Sequence, residues 1–526
     1  MPFTTLSYIG FFAALFFAYY AVPKRCQWWL LLTGSMVFYG YASPYYLLLL
    51  WTTILVTFVV AVAIGNVYRQ RDEYLALHKA KLSRDEKRVY KAKAEANAKR
   101  WLVGTILVLV LMLGVFKYAQ FAIDNFFALL GLFGIAAKSD LTFNILLPIG
   151  LSFYIFQSMG YCVDVYREEI PPERNLFKHA LFVSFFPQLL QGPIGNYGRL
   201  APQLLSSHVF DYERVVLGLQ RVAWGFFKKL VVANRIAHYL NPVWSTAGDY
   251  SGFATWFFFS FMYAIQLYAD FSGYMDVACG CAQMLEIRMD ENFNCQYFSK
   301  TIPEYWRRWH MTLSEWFKNY LFYPVLRSDW NARFRKAIGN KYLASVLPTS
   351  VALAIVWFTT GLWHGASWGY VAWGVYYGVF MVLAIVMAPA YDRMHAMAPG
   401  FFGSRCYAVF QILRTFVIVV IGYSIFKPAD LGVTAKIWQS SMSLGFGSFL
   451  EAWQEHPAGW RLCVLLSGLL ALIDIVHLRF GTGVIRLAVR RLPAIARFLV
   501  YVTGVVLVVF FGMYGKGLNQ FEYFKF

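Results

Sequence analysis

Long apolar runs dominate this chain, and they constrain its fold more than any other feature of the sequence. Several of them approach the length of about 20 residues that an α-helix needs to cross a bilayer. Hydrophobic residues make up 59% of the sequence and charged residues only 14%, whereas an ordinary soluble domain has roughly 25% charged residues. The composition therefore excludes a soluble enzyme and predicts a polytopic helical membrane protein.

The runs predict an all-α transmembrane bundle of roughly 11 to 13 spans, with residues 1–526 forming a single integral membrane domain. Proline and glycine interrupt residues 148–160 and 187–198. Such broken backbone survives at membrane depth only when protein or a water-filled cavity shelters it, so these two segments are predicted to be re-entrant or tilted. The runs lie near residues 6–22, 28–43, 45–66, 102–119, 122–137, 141–160, 176–194, 213–240, 252–285, 345–364, 366–389, 406–426, 461–477 and 498–514.

The positive charge of the chain is concentrated in a few loops. Residues 67–101 carry 11 Lys or Arg and 5 Asp or Glu, out of a net charge of +19 for the whole chain. Basic loops between apolar spans face the cytoplasm and the anionic lipid surface. We therefore expect residues 67–101 to be a charged helical excursion in the cytoplasm and the N-terminus to lie outside. A nucleic-acid partner is not expected.

The seven cysteines are scattered, mostly in or near apolar runs. They predict neither a disulfide framework nor a metal site, and Cys279 and Cys281 are better explained as small buried residues. No metal and no tightly bound cofactor is expected.

His364 ends a strongly apolar segment, and Gly365 follows it. An ionisable side chain in such a segment indicates a functional site by default, because charge is expensive there. The adjacent glycine lets another backbone or a substrate approach closely. A histidine that is hydrogen-bonded inside a helix bundle for structural reasons remains the alternative.

A second polar cluster lies in residues 303–320, which we predict to form one amphipathic helix near a membrane interface. Glu304 and Arg308 stand i,i+4 and are expected to pair, which would turn Arg307 and His310 toward whatever the helix covers. Lipid anchoring by snorkelling arginines does not explain His310. The residues that recur at helical spacing are Trp306, Trp309, Leu313, Trp316, Phe317 and Tyr320.

Asp270 and Asp276 lie six positions apart in an otherwise apolar stretch. Unpaired carboxylates would be costly there, so we expect Arg307, Arg308 and the two histidines as their charge partners, gathered around one buried polar site. Neutralising a structural charge is favoured over catalysis as the role of either aspartate.

Six short motifs follow one another between about residues 140 and 390: Leu147–Gln157, Phe185–Ile194, Asp270–Tyr274, Glu291–Asn294, Trp306–His310 and Leu362–Gly365. In order and spacing they resemble the membrane-bound O-acyltransferase (MBOAT) superfamily, and in particular its bacterial branch that modifies alginate and teichoic acid. The resemblance implies the MBOAT fold, with a catalytic core at 140–390. It also implies a passage through the membrane that the acyl donor enters from the cytoplasm and the acceptor from outside.

By the same resemblance, His364 matches the characteristic histidine of the superfamily and His310 matches the second position. Acyl transfer from a thioester to a hydroxyl needs a base, and histidine suits this task because its unperturbed pKa is about 6.5. We expect His364 to be that base, while His310 orients it, donates to the carbonyl or returns the proton to the thiol. The substrate-binding residues are expected to be Arg307, Arg308, Asp270, Tyr274, Trp309 and Trp363.

The predicted function is transfer of an acetyl group from a cytoplasmic thioester, acetyl-CoA, toward an exported cell-envelope polysaccharide. The enzyme would lie in the bacterial inner membrane and act directly or through an extracytoplasmic acetyltransferase partner. One alternative transfers D-alanyl or another acyl group from a carrier protein to teichoic acid or lipid. The other is a proton-coupled transporter that uses His310 and His364 as a relay, against which the missing inverted repeat speaks.

Overall fold

Helices form every regular element in the part of the chain that the computed structural model describes, namely residues 1–41, 44–135, 148–246, 249–443 and 445–515. One isolated antiparallel bridge joins Phe293 to Trp309. The beginning of the predicted run 141–160 and the last two residues of the runs 28–43 and 122–137 lie outside the described residues.

Seven helices within the described residues are long and apolar enough to cross a membrane. They are Pro44–Leu77, Arg84–Leu132, Lys341–His364, Trp368–Val386, Arg405–Phe426, Pro457–Phe480 and Ala494–Phe511. Large apolar side chains on their surfaces are exposed, for example Leu465 at 69% and Phe510 at 78%, as lipid-facing residues are. The chain is therefore an all-α, multi-pass membrane protein, whereas the larger number of crossings expected from the sequence stays a prediction.

The chain divides into two compact units. The first comprises Met1, Phe3–Val216 and Cys281–Asp290. Its helices are Leu6–Ala21, Lys24–Cys26, Gln27–Gly40, Pro44–Leu77, Arg84–Leu113, Gly114–Tyr118, Ala119–Leu132, Leu151–Tyr166, Leu176–Ser184, Phe186–Leu189 and Tyr197–Leu205. The single domain expected over residues 1–526 stays a prediction.

The second unit comprises Pro2, Leu217–Gly280 and Glu291–Phe526. Two helices, Tyr212–Phe226 and Phe253–Met284, run across the boundary between the units. The others are Phe227–Ala233, Asn234–Ser245, Gln296–Phe298, Ile302–Arg308, Met311–Phe317, Lys318–Phe322, Tyr323–Leu326, Asp329–Ala337, Lys341–His364, Trp368–Val386, Ala388–Met397, Pro399–Phe402, Arg405–Phe426, Leu431–Ser440, Gly447–Glu455, Pro457–Phe480, Val484–Arg490 and Ala494–Phe511.

The charged segment 67–101 lies on two long helices joined by a short turn. Helix Pro44–Leu77 has 34 residues and is therefore about 51 Å long at about 1.5 Å per residue, which exceeds the hydrocarbon core of about 30 Å. A capping box starts the next helix, because Ser83 Oγ accepts from the backbone N–H of Glu86 and the Glu86 carboxylate accepts from that of Ser83. These two helices and their turn, which we call the charged hairpin, therefore extend in part beyond the apolar layer.

Protein shelters most of the two interrupted segments, although residues 195–197 are half-buried and Gly198 is exposed. Gly150 has a φ of +76°, and a Cβ there would lie 2.1 Å from the carbonyl oxygen of Leu189. Residues 185–194 are buried throughout. Their irregular backbone is thus covered in the way that an apolar environment requires.

Within the second unit, the parts of helices Tyr212–Phe226 and Phe253–Met284 that belong to it touch through glycines. A Cβ on Gly225 would lie 2.6 Å from the carbonyl oxygen of Gly273. Small residues allow this close backbone approach between membrane helices, and it sets the charged residues that follow Gly225 beside those that flank Gly273.

Candidate active site

His310 lies at a break in the segment that was predicted to be one amphipathic helix, so that prediction is wrong. The segment forms two helices, Ile302–Arg308 and Met311–Phe317, followed by the π-helical turn Lys318–Phe322. His310 connects them with a φ of 46° and a ψ of 56°, in the left-handed region. Residues other than glycine rarely adopt this backbone conformation, and those that do cluster at functional sites. The helical spacing of the aromatic residues in the sequence does not reveal this break.

A short non-helical segment, residues 292–294, is hydrogen-bonded to the backbone on both sides of the helix break. The backbone N–H of Asn294 donates to the carbonyl of Arg308 at 3.0 Å, and the N–H of Met311 donates to the carbonyl of Asn292 at 3.1 Å. The backbone on both sides of His310 is therefore pinned to the same segment, which we call the 292–294 strap.

The His310 ring is 2% exposed. Its Nδ1 lies 3.3 Å from Oδ1 of Asn292, and the centroids of Phe271 and Trp363 lie 4.8 and 6.0 Å from that of the imidazole. Burial lowers the pKa of His310 to about 3, because the charged ring would lose its solvation. The residue lies outside the seven candidate spans. It is therefore a neutral imidazole at physiological pH.

His364 is the last residue of helix Lys341–His364 and is 4% exposed. Its ring packs against aromatic rings, with centroid distances of 4.9 Å to Trp363, 4.8 Å to Trp373 and 5.3 Å to Phe426.

The two imidazoles lie against the same indole, that of Trp363. Its ring centroid is 6.0 Å from that of His310 and 4.9 Å from that of His364, so the imidazole centroids are at most the sum of these distances, 10.9 Å, apart. Trp373 and Phe426 contact the His364 ring, and further buried aromatic rings pack against these two and against one another. We call this buried cluster the aromatic wall, and its apolar rings disfavour water beside the histidines. It consists of Tyr305, Trp306, Trp309, Trp357, Trp373, Tyr377, Tyr423 and Phe426.

Two helices meet backbone to backbone behind His364. A Cβ on Gly361 would lie 2.5 Å from the carbonyl oxygen of Tyr370, and one on Gly374 would lie 2.4 Å from that of Trp357. The close packing of this helix pair sets the position of the helix end that carries His364.

Gly374→Ala is expected to destabilise the protein by about 1 to 3 kcal/mol, because the added methyl group has no room and overpacking has this cost. The measurement is the thermal unfolding temperature of the purified variant in detergent. Gly468→Ala is the matched control, since a Cβ on helical Gly468 meets nothing within 4 Å. Equal unfolding temperatures for the two variants would contradict the close contact.

Both predicted carboxylates form ion pairs, Asp270 fully buried and Asp276 half-buried. Asp270 Oδ1 lies 2.5 Å from Lys229 Nζ, while Asp276 lies 2.7 Å from Lys228 Nζ and 2.9 Å from Arg221 Nε. Arginines and histidines of the other clusters were expected as partners. The observed partners are instead two lysines and an arginine that the sequence analysis had not connected with these aspartates. The charges thus neutralise one another inside the unit.

The remaining predicted substrate-binding residues lie in several different surroundings. Arg308 pairs with Glu304 at 2.6 Å, which confirms the expected i,i+4 pair. Arg307 is exposed, and Tyr274 is fully buried in helix Phe253–Met284. Trp309 and Trp363 belong to the aromatic surroundings of the histidines. Substrate binding by any of them stays a prediction.

Sequence reasoning gave no role to Asn292 or to the lysines at 228 and 229. Asn292 stands in the Glu291–Asn294 motif. A small polar residue in such a motif could have been predicted to form a buried hydrogen bond to the neighbouring helices. The lysine pair stands in the apolar run 213–240, where any charge indicates a buried partner.

Comparison with known families identifies the class of this protein. The model of the MBOAT, membrane-bound O-acyltransferase family matches residues 87–426, which include both histidines. The chain therefore belongs to this family and is an acyltransferase. Membership argues against the transporter alternative.

Three curated relatives represent different members of the family. The probable alginate O-acetylase of Azotobacter vinelandii is 31% identical over 467 residues, which cover 89% of this chain and 83% of the relative. The peptidoglycan O-acetyltransferase of Helicobacter pylori is 27% identical over 469 residues, 84% of this chain and 78% of the relative. The teichoic acid D-alanyltransferase of Bacillus subtilis is 26% identical over 292 residues, 54% of this chain and 69% of the relative.

Proposed function

We propose that this acyltransferase moves an acetyl group from a cytoplasmic thioester, acetyl-CoA, to a hydroxyl of an exported cell-envelope polysaccharide. The observation that carries the proposal is the placement of His310 and His364 against one buried indole within an aromatic wall. The alginate and peptidoglycan O-acetyltransferases, which match most of the chain, support acetyl as the group and a polysaccharide as the acceptor.

The site supplies what the reaction needs. A base must take the proton of the acceptor hydroxyl, and a donor must hold the oxyanion that forms on the thioester carbonyl. Two imidazoles close together meet both needs. The aromatic wall keeps out water, which would otherwise compete with the polysaccharide hydroxyl for the acyl group.

The location of the enzyme follows from its charge. We assign it to the bacterial inner membrane, with residues 67–101 in the cytoplasm and the N-terminus outside, because basic loops are retained on the cytoplasmic side. The acyl donor then enters from the side of the charged hairpin. The polysaccharide receives the acetyl group on the other side, directly or through an extracytoplasmic acetyltransferase partner.

The test uses the purified full chain in liposomes that enclose an alginate oligosaccharide as the probe acceptor. Acetyl-CoA labelled in the acetyl group is added outside only. We expect labelled ester on the enclosed oligosaccharide and an equal amount of free CoA thiol outside, because one thioester is broken for each ester formed. Labelled acetyl-CoA inside without ester would instead indicate transport. Ester formation only with a carrier-bound D-alanyl donor would indicate the alternative cargo.

A further inference from the structure

We propose that the indole N–H of Trp373 is a catalytic hydrogen-bond donor, which holds the oxyanion that forms on the thioester carbonyl during acyl transfer. The proposal rests on the proposed function and adds to it a residue outside the sequence motifs and the histidine pair. It follows from the burial of this N–H, from the rings around it and from the rigidity of the helix that carries it.

The Trp373 side chain is a buried donor that lacks an acceptor in the part of the chain that the structure describes. The residue is 3% exposed, and its Nε1 is buried with no hydrogen-bond partner among the described residues. An indole N–H can only donate, and a buried donor without an acceptor costs free energy in the resting protein. Native structures contain few such groups, so each one needs an explanation.

Aromatic rings pack around Trp373, and one of them is the imidazole of His364. The indole centroid lies 5.5 Å from that of Trp306, 5.3 Å from that of Tyr377 and 5.0 Å from that of Phe426. The imidazole of His364 is closer than these rings, at 4.8 Å, and stands at 84° to the indole. The face of an aromatic ring accepts a hydrogen bond only weakly. The N–H therefore keeps most of its capacity for a stronger acceptor that enters beside His364.

A second tryptophan in the aromatic wall has the same kind of N–H but different neighbours. Nε1 of Trp306 is buried and has no partner among the described residues. Its ring packs against those of Tyr305, Trp357, Trp373 and Tyr377, and no imidazole is among these neighbours. The contact with His364 therefore singles out Trp373.

The indole is fixed relative to the imidazole. Trp373 belongs to helix Trp368–Val386, and the next residue, Gly374, lies so close to the neighbouring helix that a Cβ would be 2.4 Å from the carbonyl oxygen of Trp357. That neighbouring helix ends at His364. A donor that is already in place needs no reorganisation when negative charge develops, and this preorganisation lowers the activation free energy.

The reaction step balances with the indole acting only as a donor. The acceptor oxygen forms a bond to the thioester carbonyl carbon, its proton passes to the imidazole of His364, the base expected from the sequence, and the π electrons of the carbonyl move to oxygen. This oxyanion accepts a hydrogen bond from Nε1 of Trp373, which keeps its proton. The carbonyl then re-forms as the C–S bond breaks, sulfur leaves with the electron pair of that bond, and the imidazolium returns the proton to it as a thiol.

Such a hydrogen bond acts on the transition state more than on the bound substrate. A charged oxygen is a stronger acceptor than the neutral oxygen of a thioester. An interaction that strengthens in the transition state raises kcat, whereas one that is equally strong in the bound substrate only lowers KM.

The experiment uses Trp373→benzothienylalanine, in which sulfur replaces the indole N–H and the fused ring keeps its shape. The variant is compared with wild type in the liposome assay, with labelled acetyl-CoA outside and alginate oligosaccharide inside. We expect kcat to fall by about 10²- to 10³-fold, the effect of removing one oxyanion donor, with little change in KM.

Trp244→benzothienylalanine is the matched control. Nε1 of Trp244 is likewise buried without a partner among the described residues, but its ring contacts Trp256 and Tyr263 and lies outside the aromatic wall. This variant should keep the wild-type kcat. Both variants should unfold at or above the wild-type temperature in detergent, because each loses an unsatisfied buried donor.

Each outcome has a distinct meaning. If the Trp373 variant keeps the wild-type kcat, or if only its KM rises, the proposal is wrong, since the N–H then does not act on the transition state. A loss of kcat that comes with a lower unfolding temperature, absent from the Trp244 variant, would indicate a packing role and would also overturn it. His310→Ala and His364→Ala are run in the same assay. If both retain full ester formation, the proposed catalytic site itself fails, whereas if they are inactive while the Trp373 variant is normal, only the role of Trp373 is overturned.

Discussion

His310→Ala is expected to lower the rate of ester formation from acetyl-CoA by about 10²- to 10⁴-fold, the range that a positioned acid–base group contributes. The imidazole is buried against Phe271 and Trp363, and exclusion of water leaves no solvent base to replace it. The measurement is label transfer to the enclosed oligosaccharide in single-turnover mode, which separates the chemical step from product release.

His364→Ala and the double variant complete this prediction. Residues that act as a unit have non-additive effects, so the double variant should be little slower than the slower single variant. His238→Ala is the control, because His238 is exposed on another helix of the same unit. A His310→Ala protein that keeps a rate within threefold of wild type would contradict the assignment.

Lys229→Met should destabilise the protein by about 3 to 5 kcal/mol, the cost of removing one partner from a buried ion pair. The lysine and Asp270 are each 4% exposed at the side chain and lie 2.5 Å apart, so the substitution leaves a buried carboxylate without this countercharge. The change is measured as a lower thermal unfolding temperature in detergent.

Two further variants make this second prediction specific. Adding Asp270→Leu to Lys229→Met removes both charges and should recover most of the lost stability, since apolar replacement of a whole buried pair is often neutral. Arg69→Met breaks an exposed pair with Glu73, at 3.8 Å, and should cost at most about 1 kcal/mol. Equal losses for Lys229→Met and Arg69→Met would show that the buried pair has no special role.

Two kinds of feature could be predicted from the sequence. One depends on residue spacing along a helix, and the other depends on the free-energy cost of burying a polar group in an apolar environment. Glu304 and Arg308 pair because residues four apart share a helix face. His310 and His364 meet at Trp363, as expected of ionisable residues that an apolar environment forces into a common polar site.

Other features depend on contacts between distant segments, which periodicity does not contain. The helix break at His310 follows from hydrogen bonds to the 292–294 strap. The partners of Asp270 and Asp276 follow from the backbone contact of Gly225 with Gly273, which sets the register of two helices. A sequence shows that a buried charge needs a partner but not which helix supplies it.

The most direct measurement is an experimental structure of the full chain in lipid with a non-hydrolysable acetyl-CoA analogue, in which an amide replaces the thioester. The account predicts that the acyl carbonyl lies between the two imidazoles, with both rings within hydrogen-bond reach of the reacting atoms. An acyl group bound elsewhere in the protein, with both imidazoles out of reach, would contradict it.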